Sequence, residues 1–408
     1  MCRPQRRNPR RQPIRKPLSL TRCASQRIAL LILLLFAFAQ AAAAAPVDPL
    51  VQEQAGQLPI DPVEQYWNKL MKEYGGYFPE NETPSFMELL LSGGGFHPLT
   101  VVKGIVAYFF HEVIHNGKLL ATIVILTVFS VLLETLQSAF EKNAVSKVAY
   151  AISYMVLMII AINSFSVAIG YAKSAIQGMI DFMIAVIPLL LALLASTGSV
   201  ATVSVMHPII IFMIHAVGTF IYLVIFPLLF FSTILHIVSS LSDKYKVTRL
   251  ANLLRNISSA LLGLFITIFL AVLSIQGATR AVTDGVTIRT AKYITGTFVP
   301  IVGRMFVEAS DTVITASLLV KNAVGLAGVI ILLLLSAFPA IKILTLAFIY
   351  NVSSAALQPL GDNPLVSCLG TIGKNLIYVF AALAVVGLMF FFAITILIAA
   401  GNVAVMIR

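Results

Sequence analysis

The chain has 408 residues, of which 59% are hydrophobic and only 11% are charged, whereas an ordinary soluble domain carries about 25% charged residues. Its mean hydropathy is +0.95. This composition excludes a water-soluble globule as the bulk of the protein, because too few polar side chains are available to cover so large a core. The formal net charge of +11 favours a nucleic-acid or acidic-membrane partner only if the charge is spread along the chain.

Most of the excess positive charge lies in residues 1–45. Residues 1–27 contain nine basic side chains and no acid, and residues 28–45 are uncharged and end in a run of alanines. A basic segment, an apolar segment and a small-residue end predict a cleaved secretory signal peptide, with an uncleaved first membrane anchor as the alternative. The remaining chain has 19 basic and 17 acidic residues, so we expect no nucleic-acid partner.

An acidic head follows, which we assign to residues 46–117. Residues 46–96 contain eight acids and two lysines, and their low positive charge favours the extracytoplasmic side of a membrane. Trp67 in this head is predicted to be either a membrane-interface anchor or a partner contact. The sequence predicts three amphipathic helices in the head: 62–78, 84–91 and 99–117.

Residues 118–408 are predicted to form a polytopic α-helical membrane domain, because their apolar runs are long enough to cross a bilayer. Seven spans is the best count, with a range of six to nine. Two runs are overlong and contain Pro227 or Pro339, so each is one kinked span or a re-entrant pair. The predicted spans are 119–139, 148–172, 176–195, 208–238, 257–279, 323–349 and 376–402.

One segment of the head matches the H-E-x-x-H pattern of zinc metalloproteases. His111 and His115 fall on one face of a helix and could bind Zn²⁺, while Glu112 could deprotonate a metal-bound water. A third ligand is needed, and Glu134 and Asp362 are the candidates. The alternative is a polar helix face that contains two histidines and binds no metal.

Ionisable residues inside predicted spans are the second group of candidates, since a charge in the bilayer costs free energy and therefore faces the protein or a wet cavity. Glu134, Asp181 and Lys342 are the main ones, with His215 and His236 as weaker ones. They predict a polar path or a pair between Lys342 and one of the two acids. Alternatively, the acids lie near span ends and extend to the interface. The sequence has no phosphate-binding glycine loop, and we expect no cofactor.

Residues 280–322 are too polar for an ordinary span and too apolar for a solvated loop. They predict two amphipathic helices joined near 296–300, which lie on the membrane or dock on a partner. Charged residues recur along the segment every three to eight positions: Arg280, Asp284, Arg289, Lys292, Arg304, Glu308 and Asp311.

Four stretches of the chain resemble the stage III sporulation protein AE family of endospore-forming bacteria. They are residues 116–140, 241–256, 292–313 and 358–376, and the sequence KYITGTFVPIVGRMFVEASDTV of 292–313 is the most specific. This most specific stretch lies within residues 280–322, which we call the signature segment, and the amphipathic pattern of the segment predicts its docking role. Its marker residues are Lys292, Gly296, Pro300, Gly303, Arg304 and Asp311.

This resemblance implies a non-enzymatic subunit of the channel or secretion-like complex that connects mother cell and forespore. The implied location is the mother-cell membrane, as a multi-pass protein facing the forespore. The implied partners are the other membrane proteins of that complex, a separate ATPase, the lipid bilayer and further copies of the chain. An intramembrane zinc metalloprotease and a small-molecule transporter are the alternatives.

Overall fold

The computed structural model describes residues 61–78, 86, 98–139, 144–241, 246–298, 302–360 and 364–406. Within these ranges the regular structure is entirely helical, with no strand, so the predicted all-α fold class is confirmed. The predicted signal peptide of residues 1–45 lies outside the described residues. So does the predicted helix 84–91, apart from Phe86, which is helical and buried.

From Pro98 onward the helices follow one another with short connections, and two of them are separated by a single π-helical turn at Ile221–Ile225. Short 3-10 turns follow the first and the eighth helix, at Gly75–Tyr77 and Gln358–Leu360. The helices are α1 Asp61–Tyr74, α2 Pro98–His115, α3 Gly117–Ala139, α4 Ala144–Ser196, α5 Val200–Phe220, α6 Phe226–Leu241, α7 Thr248–Phe298, α8 Val302–Leu357 and α9 Pro364–Met406.

Several of these helices are much longer than a bilayer requires. α4 has 53 residues and α8 has 56, which corresponds to about 80 Å each, against about 30 Å for the hydrocarbon core. Among the described residues, five helical segments are long and apolar enough to cross a membrane. A bent pair, α2 with α3, raises the number to six if it forms one span. Six lies at the lower end of the predicted range of six to nine and is one fewer than the best count of seven.

The excess in the predicted count comes from α4. Residues 148–172 and 176–195 were expected to be two spans, but they form one continuous helix. The polar residues between the apolar stretches contain no proline, and polarity alone does not interrupt a helix. Lys173, Gln177 and Asp181 lie instead on the exposed side of α4.

The two overlong, proline-containing runs are resolved as continuous helices rather than re-entrant pairs. Pro339 lies inside α8. Pro227 is the second residue of α6, directly after the π-helical turn. Pro227 has no N–H to donate, and the π-helical turn directly before it accommodates the missing hydrogen bond.

The centre of the bundle is α9, which packs against α4, α6, α7 and α8. Close approach of α8 to α9 depends on a glycine, because a Cβ at Gly325 would lie 2.6 Å from Cγ1 of Ile398. Small residues let the backbones of membrane helices approach and gain van der Waals contact. The buried residues of α4, α8 and α9 form the main core of the described chain.

The first helix of the head, predicted at 62–78, is confirmed as α1 and the following 3-10 turn. It packs against α4 and α8, and its aromatic side chains insert between them. The ring of Tyr74 stacks on Phe338 with centroids 3.9 Å apart, and Tyr66 meets Phe182 edge to face at 5.4 Å. Trp67 is 1% exposed and packs in the chain's own core, so neither predicted role of this residue is correct.

Candidate functional site

The H-E-x-x-H segment lies on α2, with its histidines and its glutamate on different sides. His111 and His115 are exposed, and their rings lie 6.3 Å apart. Glu112 is buried, and its carboxylate accepts a hydrogen bond of 3.1 Å from the amide of Asn116. Gly104 and Tyr108 share the buried face with Glu112. The glutamate therefore belongs to the packing face of α2, away from the two rings.

A metal site needs a third ligand beside the two histidines. Among the described residues, no group of three or more His, Cys, Asp or Glu side chains could hold a metal ion. Of the two candidate third ligands, Asp362 lies outside the described residues, and Glu134 lies on α3 with its side chain outside them. The described geometry therefore offers two exposed imidazoles and no metal centre.

The predicted intramembrane charges are not paired with each other in the described part of the chain. Asp181 is exposed and accepts a hydrogen bond of 2.8 Å from Gln177, one turn earlier on α4. The ammonium of Lys342 lies 5.4 Å from the ring centroid of Tyr171, a cation–π contact. The predicted Asp181–Lys342 pair is therefore wrong, and the Glu134–Lys342 pair stays a prediction.

Where the head docks, burial changes the chemistry of its tyrosines. Burial is the main cause that raises the pKa of Tyr74 well above its ordinary value, and the hydrogen bond and negative charge of Glu73 add to it. Burial, together with the negative charge of Asp181, also raises the pKa of Tyr66. Both phenols are therefore neutral wherever the head is docked at ordinary pH.

The signature segment lies at the turn between α7 and α8, which are the two longest of the helices that follow α4 in the chain. The predicted break near 296–300 is close to the observed one, because α7 ends at Phe298 and α8 begins at Val302. The two predicted amphipathic helices are the ends of α7 and α8 rather than separate elements. Lys292 of α7 forms a salt bridge with Asp311 of α8, which joins the two ends.

For the other marker residues of this segment, the structure describes at most the backbone. Gly296 lies in the last turn of α7, and Gly303 and Arg304 lie in the first turn of α8. The side chain of Arg304 and the whole of Pro300 lie outside the described residues. The docking role of the segment therefore stays a prediction.

Asp284, also in the polar segment, has a role that the sequence did not indicate. Its carboxylate is 3% exposed and accepts a hydrogen bond of 3.2 Å from the backbone N–H of Thr202, in the first turn of α5. The N-cap residue Ser199 gives α5 no side-chain cap. Asp284 of α7 therefore supplies the cap from another helix, where a negative charge also matches the helix dipole.

Lys321 of α8 was not singled out by the sequence, yet it is one of the most buried charged groups in the described chain. It is 1% exposed, and its ammonium donates to the backbone oxygen of Ile398 at 2.9 Å and to Oδ1 of Asn402 at 3.3 Å. A Cβ at Gly401 would overlap this ammonium. The glycine thus leaves room for the lysine against α9.

At the opposite end of the bundle, two stretches of the family resemblance meet. Residues 246–256, at the start of α7, and residues 364–376, at the start of α9, both contact the end of α6. Polar side chains line this junction of α6, α7 and α9, which we call the basic end. They are Ser232, Thr233, His236, Asn252, Arg255, Asn375 and Tyr378.

A part of these groups could have been found from the sequence. The clustering of lysine and arginine in 241–256 and the lone Lys321 beside an apolar run are both visible there. Their partners could not have been found, because Asn252 with His236, Thr202 with Asp284 and Lys321 with Asn402 each join residues of different helices.

Comparison with known proteins decides the family. The family model described as "Stage III sporulation protein AE (spore_III_AE)" matches residues 82–401. The chain belongs to the stage III sporulation protein AE family. A relative in this family, the stage III sporulation protein AE of Bacillus subtilis (strain 168), is 54% identical over 359 residues, which cover 88% of this chain and 90% of the relative.

No solved structure matches the chain. The family membership confirms the resemblance that the four stretches indicated, and it assigns the chain a role in sporulation. Together with the apolar helices, it describes a multi-pass membrane protein of sporulation.

Proposed function

We propose that the chain is a non-enzymatic membrane subunit of the channel or secretion-like complex that connects mother cell and forespore. In this proposal it lies in the mother-cell membrane facing the forespore, with its head on the extracytoplasmic side. A separate ATPase supplies energy, since the sequence has no phosphate-binding glycine loop. Family membership and the multi-pass architecture support the proposal.

The observation that carries the proposal is the poor coverage of α7 by the rest of the chain. Only 22% of the most apolar window of α7 is buried, against 44–61% for the other four single-helix spans. Large apolar side chains such as Leu264 and Ile268 are 57% and 49% exposed on this helix. A helix at the edge of a bundle with this much free apolar surface suits packing against another membrane subunit.

The exposed side of α7 also has the composition of a membrane-helix interface. Ser259, Gly263, Thr267 and Ala271 follow one another at four-residue spacing, and all four are exposed. Small residues at this spacing allow the backbone of a second helix to approach closely. We assign this face to another membrane protein of the sporulation complex.

Site-specific photo-crosslinking in sporulating cells tests this assignment. A photoreactive amino acid at Leu264 or Ile268 of the full-length chain should give covalent adducts with another stage III sporulation membrane protein, identified by mass spectrometry. Matched controls at Phe212 and Leu223, which are 69% and 72% exposed on the α5 side, should give at least about tenfold less adduct.

Two results would overturn the assignment. Equal adduct yields at the α7 and control positions would show that α7 contacts lipid like any other outer helix. Adducts that consist only of a second copy of this chain would assign the face to a homo-oligomer instead.

A further inference from the structure

At the centre of the basic end, side chains of two residues, His236 and Arg255, compete for one amide oxygen, Oδ1 of Asn252. Nδ1 of His236 lies 2.8 Å from the backbone oxygen of Ser232, and Nε2 lies 3.2 Å from Oδ1 of Asn252. The same Oδ1 accepts a hydrogen bond of 2.7 Å from Nη2 of Arg255. Because a backbone oxygen only accepts, Nδ1 must carry a proton.

With a neutral imidazole, Nε2 then has no proton and faces the oxygen of Asn252, acceptor against acceptor. Turning the Asn252 amide over would place its NH₂ group against the guanidinium of Arg255, donor against donor. A neutral imidazole therefore leaves one of these contacts at Asn252 unsatisfied. His236 and Arg255 thus converge on one amide oxygen that cannot serve both.

Among the described residues of the surrounding helices, no carboxylate balances the charge of Arg255. α6, α9 and residues 248–283 of α7 contain no Asp or Glu. α4 also packs here, through Tyr154, whose hydroxyl lies 2.6 Å from that of Ser240. The first acid beyond Tyr154 on α4 is Asp181, about 40 Å further along the helix. The half-buried guanidinium of Arg255 has no carboxylate partner among these residues, which favours an anion beside it.

Two buried polar atoms in the same place have no hydrogen-bond partner. They are Nε of Arg255, a donor, and Oδ1 of Asn375, an acceptor. Asn375 is 1% exposed and donates through its amide to Thr233, one turn from His236. The guanidinium of Arg255 lies 5.2 Å from the ring centroid of Tyr378, one turn from Asn375. A ligand that fits must both accept from Arg255 and donate to Asn375.

The position of the site indicates where such a ligand comes from. Arg255 is seven residues, or about 10 Å, from the start of α7, near the end of a candidate span. Exposed apolar side chains surround it on three helices, and the basic side chains Arg249 and Lys374 are exposed nearby. The apolar ones are Val238, Leu250, Leu253, Ile257 and Ile377.

We propose that the junction of α6, α7 and α9 binds the headgroup of an anionic phospholipid. The phosphate accepts hydrogen bonds from Arg255 and faces His236, a headgroup hydroxyl donates to Asn375, and the acyl chains lie along the exposed apolar side chains. Basic pockets between membrane helices are known to bind acidic headgroups. Phosphatidylglycerol carries both the phosphate and the hydroxyl groups that these atoms require.

Native mass spectrometry of the full-length chain, released from nanodiscs of equal parts phosphatidylglycerol and phosphatidylcholine, tests the proposal. The wild-type chain should retain one phosphatidylglycerol at least about tenfold more often than phosphatidylcholine. Arg255→Gln should remove this preference. The control Arg249→Gln, which removes an exposed charge of the same helix, should reduce it less than twofold. His236→Gln provides a second variant in case Arg255→Gln does not fold.

The outcomes separate the alternatives. Equal retention of both lipids by the wild-type chain, which needs no variant to fold, would overturn the proposal. Equal losses in Arg255→Gln and Arg249→Gln would show a diffuse surface attraction instead of a specific site. Displacement of the retained lipid by millimolar inorganic phosphate would show a site for free phosphate rather than for a lipid.

Discussion

The two ends of the bundle hold their charged side chains in different ways. At the end where α5 begins, Asp284 accepts a hydrogen bond from the first turn of α5, and Lys321 donates to oxygens of α9. At the basic end, His236 and Arg255 share a single amide oxygen, and Nε of the charged Arg255 has no partner, whereas the unpartnered atoms at the first end, Oγ1 of Thr202 and Oδ1 of Asn322, are neutral.

This difference separates charges that hold the fold together from charges that await a ligand. A buried group whose partners are backbone atoms of its own chain is complete when the helices pack. A charged side chain with an unpartnered donor, such as Arg255, is complete only when something else binds. We therefore expect variants at the first end to reduce stability in every lipid, and variants at the basic end to change the response to a particular lipid.

The largest effect is expected at Gly401. Gly401→Ala places a methyl group on the ammonium of Lys321, and overpacking of this kind costs about 1–3 kcal/mol or more. Gly263→Ala is the matched control, because a Cβ there meets nothing within 4 Å. Thermal unfolding in detergent should show a clear loss for Gly401→Ala and none for Gly263→Ala. Equal melting temperatures would contradict the packing of Lys321 on α9.

The next largest effect is expected at Asp284. Asp284→Ala removes the cap of α5 and should cost about 1–2 kcal/mol in the free energy of unfolding. Asp284→Asn keeps an oxygen acceptor and should lose less, while Asp181→Asn, at an exposed acid, should change little. A ranking in which Asp181→Asn is as harmful as Asp284→Ala would disprove the capping role.

A smaller effect is expected where the head docks. Because the pKa of Tyr74 is raised in the folded chain, the neutral phenol stabilises docking below the ordinary tyrosine pKa of about 10, and this contribution is lost as the pH rises beyond it. The fluorescence of Trp67, the single tryptophan of the chain, reports docking directly. Its emission should shift to the red above about pH 10.

Tyr74→Phe should move that red shift to higher pH, at a cost of about 1 kcal/mol for the lost hydroxyl hydrogen bond. Tyr293→Phe, at a tyrosine that is 73% exposed, should leave the onset unchanged. Emission typical of an exposed indole at neutral pH would show that α1 is not docked.

The smallest effect is expected at Glu112. Glu112→Gln keeps an acceptor for Asn116 and should leave both sporulation and bound zinc unchanged, because the carboxylate packs away from the two histidines. Spore counts and metal analysis check this. Loss of spores with normal protein abundance would revive the metalloprotease alternative.

The sequence predicted the class of the protein better than its detail. Apolar runs, glycines and prolines predicted membrane helices, the helix of the head and the break near Phe298, because each depends on local composition. The span count failed at Lys173, since a polar interruption ends an apolar run without ending a helix.

The candidate sites were predicted less well, because a pattern cannot show which helix faces which. The H-E-x-x-H match singled out residues that share four-residue spacing but not a common centre. Asp181 and Lys342 were correctly noticed as unusual, yet their contacts are Gln177 and Tyr171. Lys321 and the shared oxygen of Asn252 became visible only when α6, α7, α8 and α9 were placed together.

The contrast between the two ends is tested most directly by measuring the melting temperatures of the wild-type chain and two variants in two lipid compositions. The wild-type chain, Asp284→Ala and Arg255→Gln are each unfolded in nanodiscs of phosphatidylcholine with and without phosphatidylglycerol. We predict that phosphatidylglycerol raises the melting temperature of the wild-type chain and of Asp284→Ala by the same amount, and does not raise that of Arg255→Gln. An equal rise of the melting temperature in all three chains would contradict the claim that Arg255 binds the lipid headgroup.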